Sequence, residues 1–102
     1  MCGICGSFDP ASGAKPEKAI LEGMSRSIAH RGPDDEGSFL DAGVGLAARR
    51  LAIIDVEGGH QPITNEDRTV WIVFNGEIYN HQSLRHLLSK LGHRFQTRAD
   101  TE

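Results

Sequence analysis

The chain reads as an α+β domain with mainly antiparallel strand pairing. Segments with strand patterning cluster between two helical patterns, in the order strand, helix, several strands, helix, strand, rather than alternating regularly with helices. Asp41-Ala42-Gly43 has the form of a hairpin turn between two strand candidates. No phosphate-binding Walker loop and no dinucleotide fingerprint interrupts the pattern, so nothing in it reads as a nucleotide site.

The elements follow in order. Residues 3–8 form a short apolar strand, closed by the turn cluster Asp9-Pro10-Ala11-Ser12-Gly13. A helix follows, with Pro16 suited to its first turn and Glu17 to its positive end. Ile20, Met24 and Ile28, with Leu21 beside them, give it one apolar stripe that reads as core. The helix must stop before His30-Arg31-Gly32-Pro33-Asp34, a charged, breaker-rich loop with a structural or interdomain role. Residues 38–40, 44–48 and 51–54 are short strand candidates, and the segment from Glu57 to Pro62 is a loop. After the polar turn Asn65-Glu66-Asp67-Arg68, the run Val70-Trp71-Ile72-Val73-Phe74 predicts a central buried strand. Asn80 is placed to cap a second helix striped by Leu84, Leu87, Leu88 and Leu91 and ended by Gly92, and residues 94–97 predict a last strand.

Composition bounds the function classes. With 38% apolar and 25% charged side chains over 102 residues, the chain is neither disordered nor more than one domain. A net charge of −3 and a pI near 5.9 argue against a basic nucleic-acid arm or a membrane-surface helix. Its apolar runs fall far short of the ~20 residues a membrane span needs, and no secretory signal opens it. Two cysteines make no disulfide scaffold, so a reducing, cytoplasmic setting is expected.

Cys2 and Cys5 have the Cys-x-x-Cys spacing of a redox pair or half a zinc site. Almost no chain precedes Cys2, and the histidines at 30, 60, 81, 86 and 93 lack zinc-finger spacing, so no metal is expected. On a strand the two thiols would point to opposite faces, leaving Cys5 as a small buried hydrophobe. Position makes Cys2 informative. Removal of the initiator methionine would place a free α-amine beside its thiol. An α-amine, with an ordinary pKa of about 7.7–8.0, can serve as base for the adjacent nucleophile.

Five motifs then occur in register: Cys2-Gly3-Ile4, His30-Arg31-Gly32-Pro33-Asp34, Arg50-Leu51-Ala52-Ile53-Ile54-Asp55, Phe74-Asn75-Gly76-Glu77-Ile78-Tyr79-Asn80, and Ala99-Asp100-Thr101-Glu102. Together they resemble the class II glutamine amidotransferases, which have the N-terminal nucleophile hydrolase fold. The His-Arg-Gly-Pro-Asp wording resembles the glutamine-hydrolysing asparagine synthetases. The resemblance implies a four-layer αββα sandwich with mainly antiparallel sheets. It implies that Cys2 attacks the side-chain amide of L-glutamine and that Asn75 and Gly76 form the oxyanion hole. Arg50 would bind the α-carboxylate and Asp100 the α-ammonium, with Glu77 and backbone groups of Leu51 and Ile53 lining the pocket. Each residue alone has a plainer reading: Arg50 as a solvated strand-edge charge, Asn75-Gly76 as a turn.

The resemblance further implies that residues 1–102 are the N-terminal portion of a glutamine amidotransferase domain. The remainder of it, and a synthetase domain that would use ATP and Mg, are expected outside them. An unfinished sheet would favour instability or self-association into homo-oligomers. The alternatives are an inactive or self-associating fragment, and a glutaminase serving another acceptor, such as a sugar phosphate or an exopolysaccharide component.

Overall fold

The computed structural model describes residues 2–51 and 58–102. Strand β1 (Gly3–Phe8) is followed by helix α1 (Lys18–Ser27), a 3-10 turn (Ala29–Arg31) and the hairpin of β2 (Asp35–Asp41) and β3 (Val44–Arg50). Two short strands, β4 (Ile63–Thr64) and β5 (Trp71–Ile72), precede helix α2 (His81–Lys90). All ladders between these strands are antiparallel: β1-β3-β2 form one sheet and β4-β5 another. The expected α+β class is therefore present.

Strand β3 organises the molecule because its two faces carry different partners. Gly45, Ala47 and Arg49 face α1: Leu21 of the helix lies over Gly45, and Arg49 Nε donates to the Ser25 carbonyl at 3.2 Å. On the opposite face, Leu46 is registered with Phe39, whose ring stacks on Trp71 at 4.0 Å between centroids. The layers are thus α1, the three-stranded sheet, and the β4-β5 pair. Small residues permit the close approach, and Ala47 and Ala48 are 1% and 3% exposed. The β2-β3 turn needs a left-handed residue, and Gly43 supplies it with φ of +73°.

Several expectations change. Pro16 lies before the helix, whose N-cap is Glu17, so it is not a first-turn residue. Leu21 and Ser25 form the buried face of α1, whereas Ile20 is 59% exposed. The run 70–74 is not a central strand. Its regular part is Trp71–Ile72, paired with β4, and Val70 is 62% exposed. Asn80 occupies the N-cap of α2 but makes no side-chain cap bond; the Ser83 hydroxyl donates to its carbonyl instead, at 2.9 Å. Leu84, Leu87 and Leu91 all lie exposed along α2, and Gly92 ends the helix with φ of +99° as expected. Residues 94–97 form no strand, because the Gln96 and Thr97 N–H groups donate to the Glu102 carboxylate, both at 2.7 Å. The strand expected at 51–54 lies largely outside the described residues. Among the described residues, no helix is long and apolar enough to cross a membrane.

Candidate active site

Strand alternation sends the neighbours Arg49 and Arg50 to opposite faces of the sheet. Arg49 turns toward α1 and pairs with Glu36 at 2.9 Å. Arg50 turns the other way and lines a cavity of about 710 Å³, within the roughly 300–1,000 Å³ usual for small-molecule sites. Gly59 packs against the Arg50 guanidinium so closely that a Cβ there would collide with it. The expectation that Arg50 alone is a solvated edge charge gives way to a cavity-lining cation.

Cys2 lines the same cavity, just before β1. Its Sγ accepts the Leu51 N–H at 3.4 Å and lies 4.0 Å from the Leu51 carbonyl oxygen. Its own carbonyl accepts two bonds, from Arg31 Nε at 3.2 Å and from Asn75 Nδ2 at 3.0 Å. Cys2 is therefore held at both its side chain and its main chain. Cys5 is registered with Ala47 on the α1 face of the sheet, away from this cavity. Burial pushes its thiol pKa up, which disfavours the reactive thiolate. The two thiols face apart, and Cys5 is half-buried rather than fully enclosed. Among the described residues, no group of three or more His, Cys, Asp or Glu is placed to share a metal ion.

Asn75, Gly76, Glu77 and Asp100 complete the gathering around the cavity. Asp100 Oδ2 accepts the Ile78 N–H at 2.8 Å, tying the last motif to the segment that carries Asn75. Of the residues expected to form the site, Cys2, Arg50, Leu51, Asn75, Gly76, Glu77 and Asp100 all border one cavity; Ile53 lies outside the described residues. A second cavity, of about 430 Å³ between α1 and the β2-β3 hairpin, is lined by Lys18, Glu22, Arg26 and Arg49 among others. No cysteine lines it.

Two further residues hold the site from segments that the sequence presents as loops. Arg31 belongs to the loop read as structural, and it is: Gly32 sits so close to the Arg49–Arg50 backbone that a Cβ would collide, and the Asp34 N–H donates to the Arg50 carbonyl at 3.0 Å. The loop thereby clamps the end of β3 and, through Arg31, the Cys2 carbonyl. Gln61 lies in a segment that reads as a loop, yet it is 8% exposed and its amide grips the Phe74 backbone. No periodicity signals either residue. A polar side chain within a Gly/Pro loop reads as solvated unless its partner is visible.

The loop presenting Asp100 has its own fastening. Arg85 of α2 donates to the Thr97 and Ala99 carbonyls at 2.7 and 3.0 Å and lies over the Phe95 ring. Burial alone would push the Glu102 carboxyl up, but bonds from the Gln96 N–H and from the Thr97 hydroxyl and N–H, with Arg85 nearby, hold it below the usual glutamate range. A carboxyl whose folded pKa is depressed contributes stability above its unfolded value, about 4.3. That contribution disappears as pH falls through the lower folded value. Amide exchange across residues 96–102 is therefore expected to accelerate as pH drops below about 4.3 once corrected for intrinsic rates. E102Q is expected to show fast exchange already at neutral pH and little further change on acidification. Slow exchange in E102Q at neutral pH would contradict this role.

The sequence model of the glutamine amidotransferase domain matches residues 1–102. Glutamine-hydrolysing asparagine synthetase 1 of Bacillus subtilis (strain 168) is 48% identical over 104 aligned positions, covering 100% of this chain and 16% of that protein. Asparagine synthetase 2 of the same organism is 43% identical, and asparagine synthetase 1 of Arabidopsis thaliana 40%, again over 100% of this chain, with 14% and 17% of those proteins covered. The chain thus spans about a sixth of the length of these curated relatives. The match over all its residues, together with the likeness to these synthetases, shows that the chain belongs to the glutamine amidotransferase domain family.

Proposed function

We propose that this chain carries the glutamine-hydrolysing site of an ATP-dependent asparagine synthetase. The observation that carries the reading is the Cys2 thiol bordering one cavity with Arg50, Asn75, Gly76 and Asp100. After removal of Met1, the Cys2 α-amine takes the thiol proton and Sγ attacks the side-chain amide carbon of glutamine. The C–N bond breaks, the nitrogen leaves as ammonia carrying the transferred proton, and a thioester remains. Water then cleaves the thioester, releasing glutamate and restoring the thiol. The Asn75 side-chain amide and the Gly76 N–H stabilise the oxyanion of each tetrahedral intermediate. Arg50 takes the α-carboxylate through its planar fork, and Asp100 the α-ammonium. Glu77 and the Leu51 and Ile53 backbones line the pocket. A free amino acid with two charged ends fits this set, whereas a glutamine inside a peptide offers neither charge.

The wider setting is part of the same proposal. Ammonia would pass to an acceptor site outside these residues, where ATP and Mg would act on aspartate; no residue within 1–102 is assigned to them. The finer fold reading is that residues 1–102 form the N-terminal portion of a four-layer αββα sandwich. The exposed Leu84, Leu87 and Leu91 stripe supports it, being apolar surface suited to a covering layer.

The test is direct. Purified protein, shown by mass spectrometry to begin at Cys2, is incubated with L-glutamine. Ammonia and glutamate are expected in equal amounts. A processed protein that yields neither would overturn the assignment.

A further inference from the structure

We infer that Gln61 is a positioning residue for the oxyanion-stabilising pair Asn75-Gly76, acting through the backbone of Phe74; this rests on the glutaminase reading. The regular part of β5 ends at Ile72, so ladder hydrogen bonds do not reach the site. Gln61 takes over. Its Nε2 donates to the Phe74 carbonyl at 3.0 Å, and its Oε1 accepts the Phe74 N–H at 2.7 Å. One side-chain amide thus reproduces both bonds that a neighbouring strand residue would make. The next residue, Asn75, reaches the Cys2 carbonyl.

The grip is itself anchored. A Cβ at Gly37 of β2 would collide with the Gln61 carbonyl, so that strand offers a side-chain-free place where the loop can dock. Beside it, His60 Nδ1 lies 2.8 Å from Asp35 Oδ2, fixing the same loop to the start of β2. The path runs from the β2 backbone through the Gln61 amide to Phe74 and so to Asn75. With Gln61 only 8% exposed, water competes weakly for these bonds.

The chemistry required is narrow. The group must be neutral, must donate and accept at one end, and must reach one methylene beyond asparagine. The substitution Q61E keeps the shape but sets a carboxylate oxygen against the Phe74 carbonyl. The experiment therefore compares Q61E and Q61N with the parent protein, by glutamine turnover and by amide exchange at Phe74. Expected for both variants is a kcat lowered by up to about 100-fold, the scale of a misplaced catalytic group, with KM for glutamine near the parent value. Faster exchange at Phe74 should accompany it, with the β1-β3-β2 amides unchanged. A purely structural role would instead leave kcat per folded molecule intact and lower the thermal midpoint. That result, or parent-like kcat with parent-like exchange, overturns the inference. If the processed parent releases no ammonia, the glutaminase reading fails, and Phe74 exchange alone judges the grip: acceleration in Q61E and Q61N upholds it, and no change overturns it.

Discussion

Cys2→Ala will abolish ammonia release from glutamine while leaving the fold intact. Without Sγ there is no thioester route, and loss of a nucleophile in a hydrolase costs on the order of 10⁶ in kcat. Cys5 offers no substitute, because it sits on the α1 face of the sheet and burial raises its thiol pKa. Structural collateral is small. The thiol accepts a single long bond from the Leu51 N–H at 3.4 Å, while Arg31 and Asn75 bind the Cys2 main-chain carbonyl, which alanine retains. Thermal unfolding should therefore shift little, and alkylation by iodoacetamide should lose its fast-reacting site. Unchanged turnover in C2A would refute the assignment. The same protein could still bind glutamine through Arg50 and Asp100, and tight binding without turnover would separate recognition from chemistry.

Arg50 and Gln61 mark how far pattern reading reaches. The β1 and β2-β3 elements were legible because a two-residue turn with glycine and short alternating segments determine a hairpin locally. Helix α1 is legible as a helix and Leu21 belongs to its expected stripe, but the buried residues are Leu21, which lies over Gly45, and Ser25, while Ile20 is exposed. The run 70–74 misled for a physical reason. A β-branched and aromatic run signals fitness for a pleated surface, not the presence of strands on both sides. Here Phe74 is paired by a side chain thirteen residues away, a partnership with no period. Residues 94–97 failed similarly, their N–H groups being claimed by the Glu102 carboxylate. The candidate site was legible only as a set of motifs: Arg50 beside Arg49 gives no hint of which faces the cavity until strand register is known.

Asn75→Ala carries the second largest expected effect, and it tests the electrostatic part of the proposal. Removing one oxyanion donor typically costs about 2.7–4 kcal/mol in the barrier, or 10²–10³ in kcat. The loss should appear in kcat and kcat/KM alike, because the donor acts on charge that exists only in the tetrahedral intermediates. Asn75 also donates to the Cys2 carbonyl at 3.0 Å, so alanine removes a fastening of the nucleophile. That bond contributes about 0.5–1.5 kcal/mol, and Asn75 is exposed, so water can take its place on the carbonyl while Arg31 keeps its own bond. The two roles separate with N75D. An aspartate carboxylate has no donor and sets negative charge where the oxyanion forms, so N75D is expected to be slower than N75A despite its closer shape. If positioning Cys2 were the whole function of Asn75, both variants would slow iodoacetamide alkylation in proportion to their loss of turnover. If oxyanion stabilisation dominates, alkylation, which forms no oxyanion, proceeds near the parent rate in N75A while hydrolysis falls by about two to three orders of magnitude. A rise in KM with kcat preserved would assign Asn75 to ground-state binding and overturn its place in the oxyanion hole.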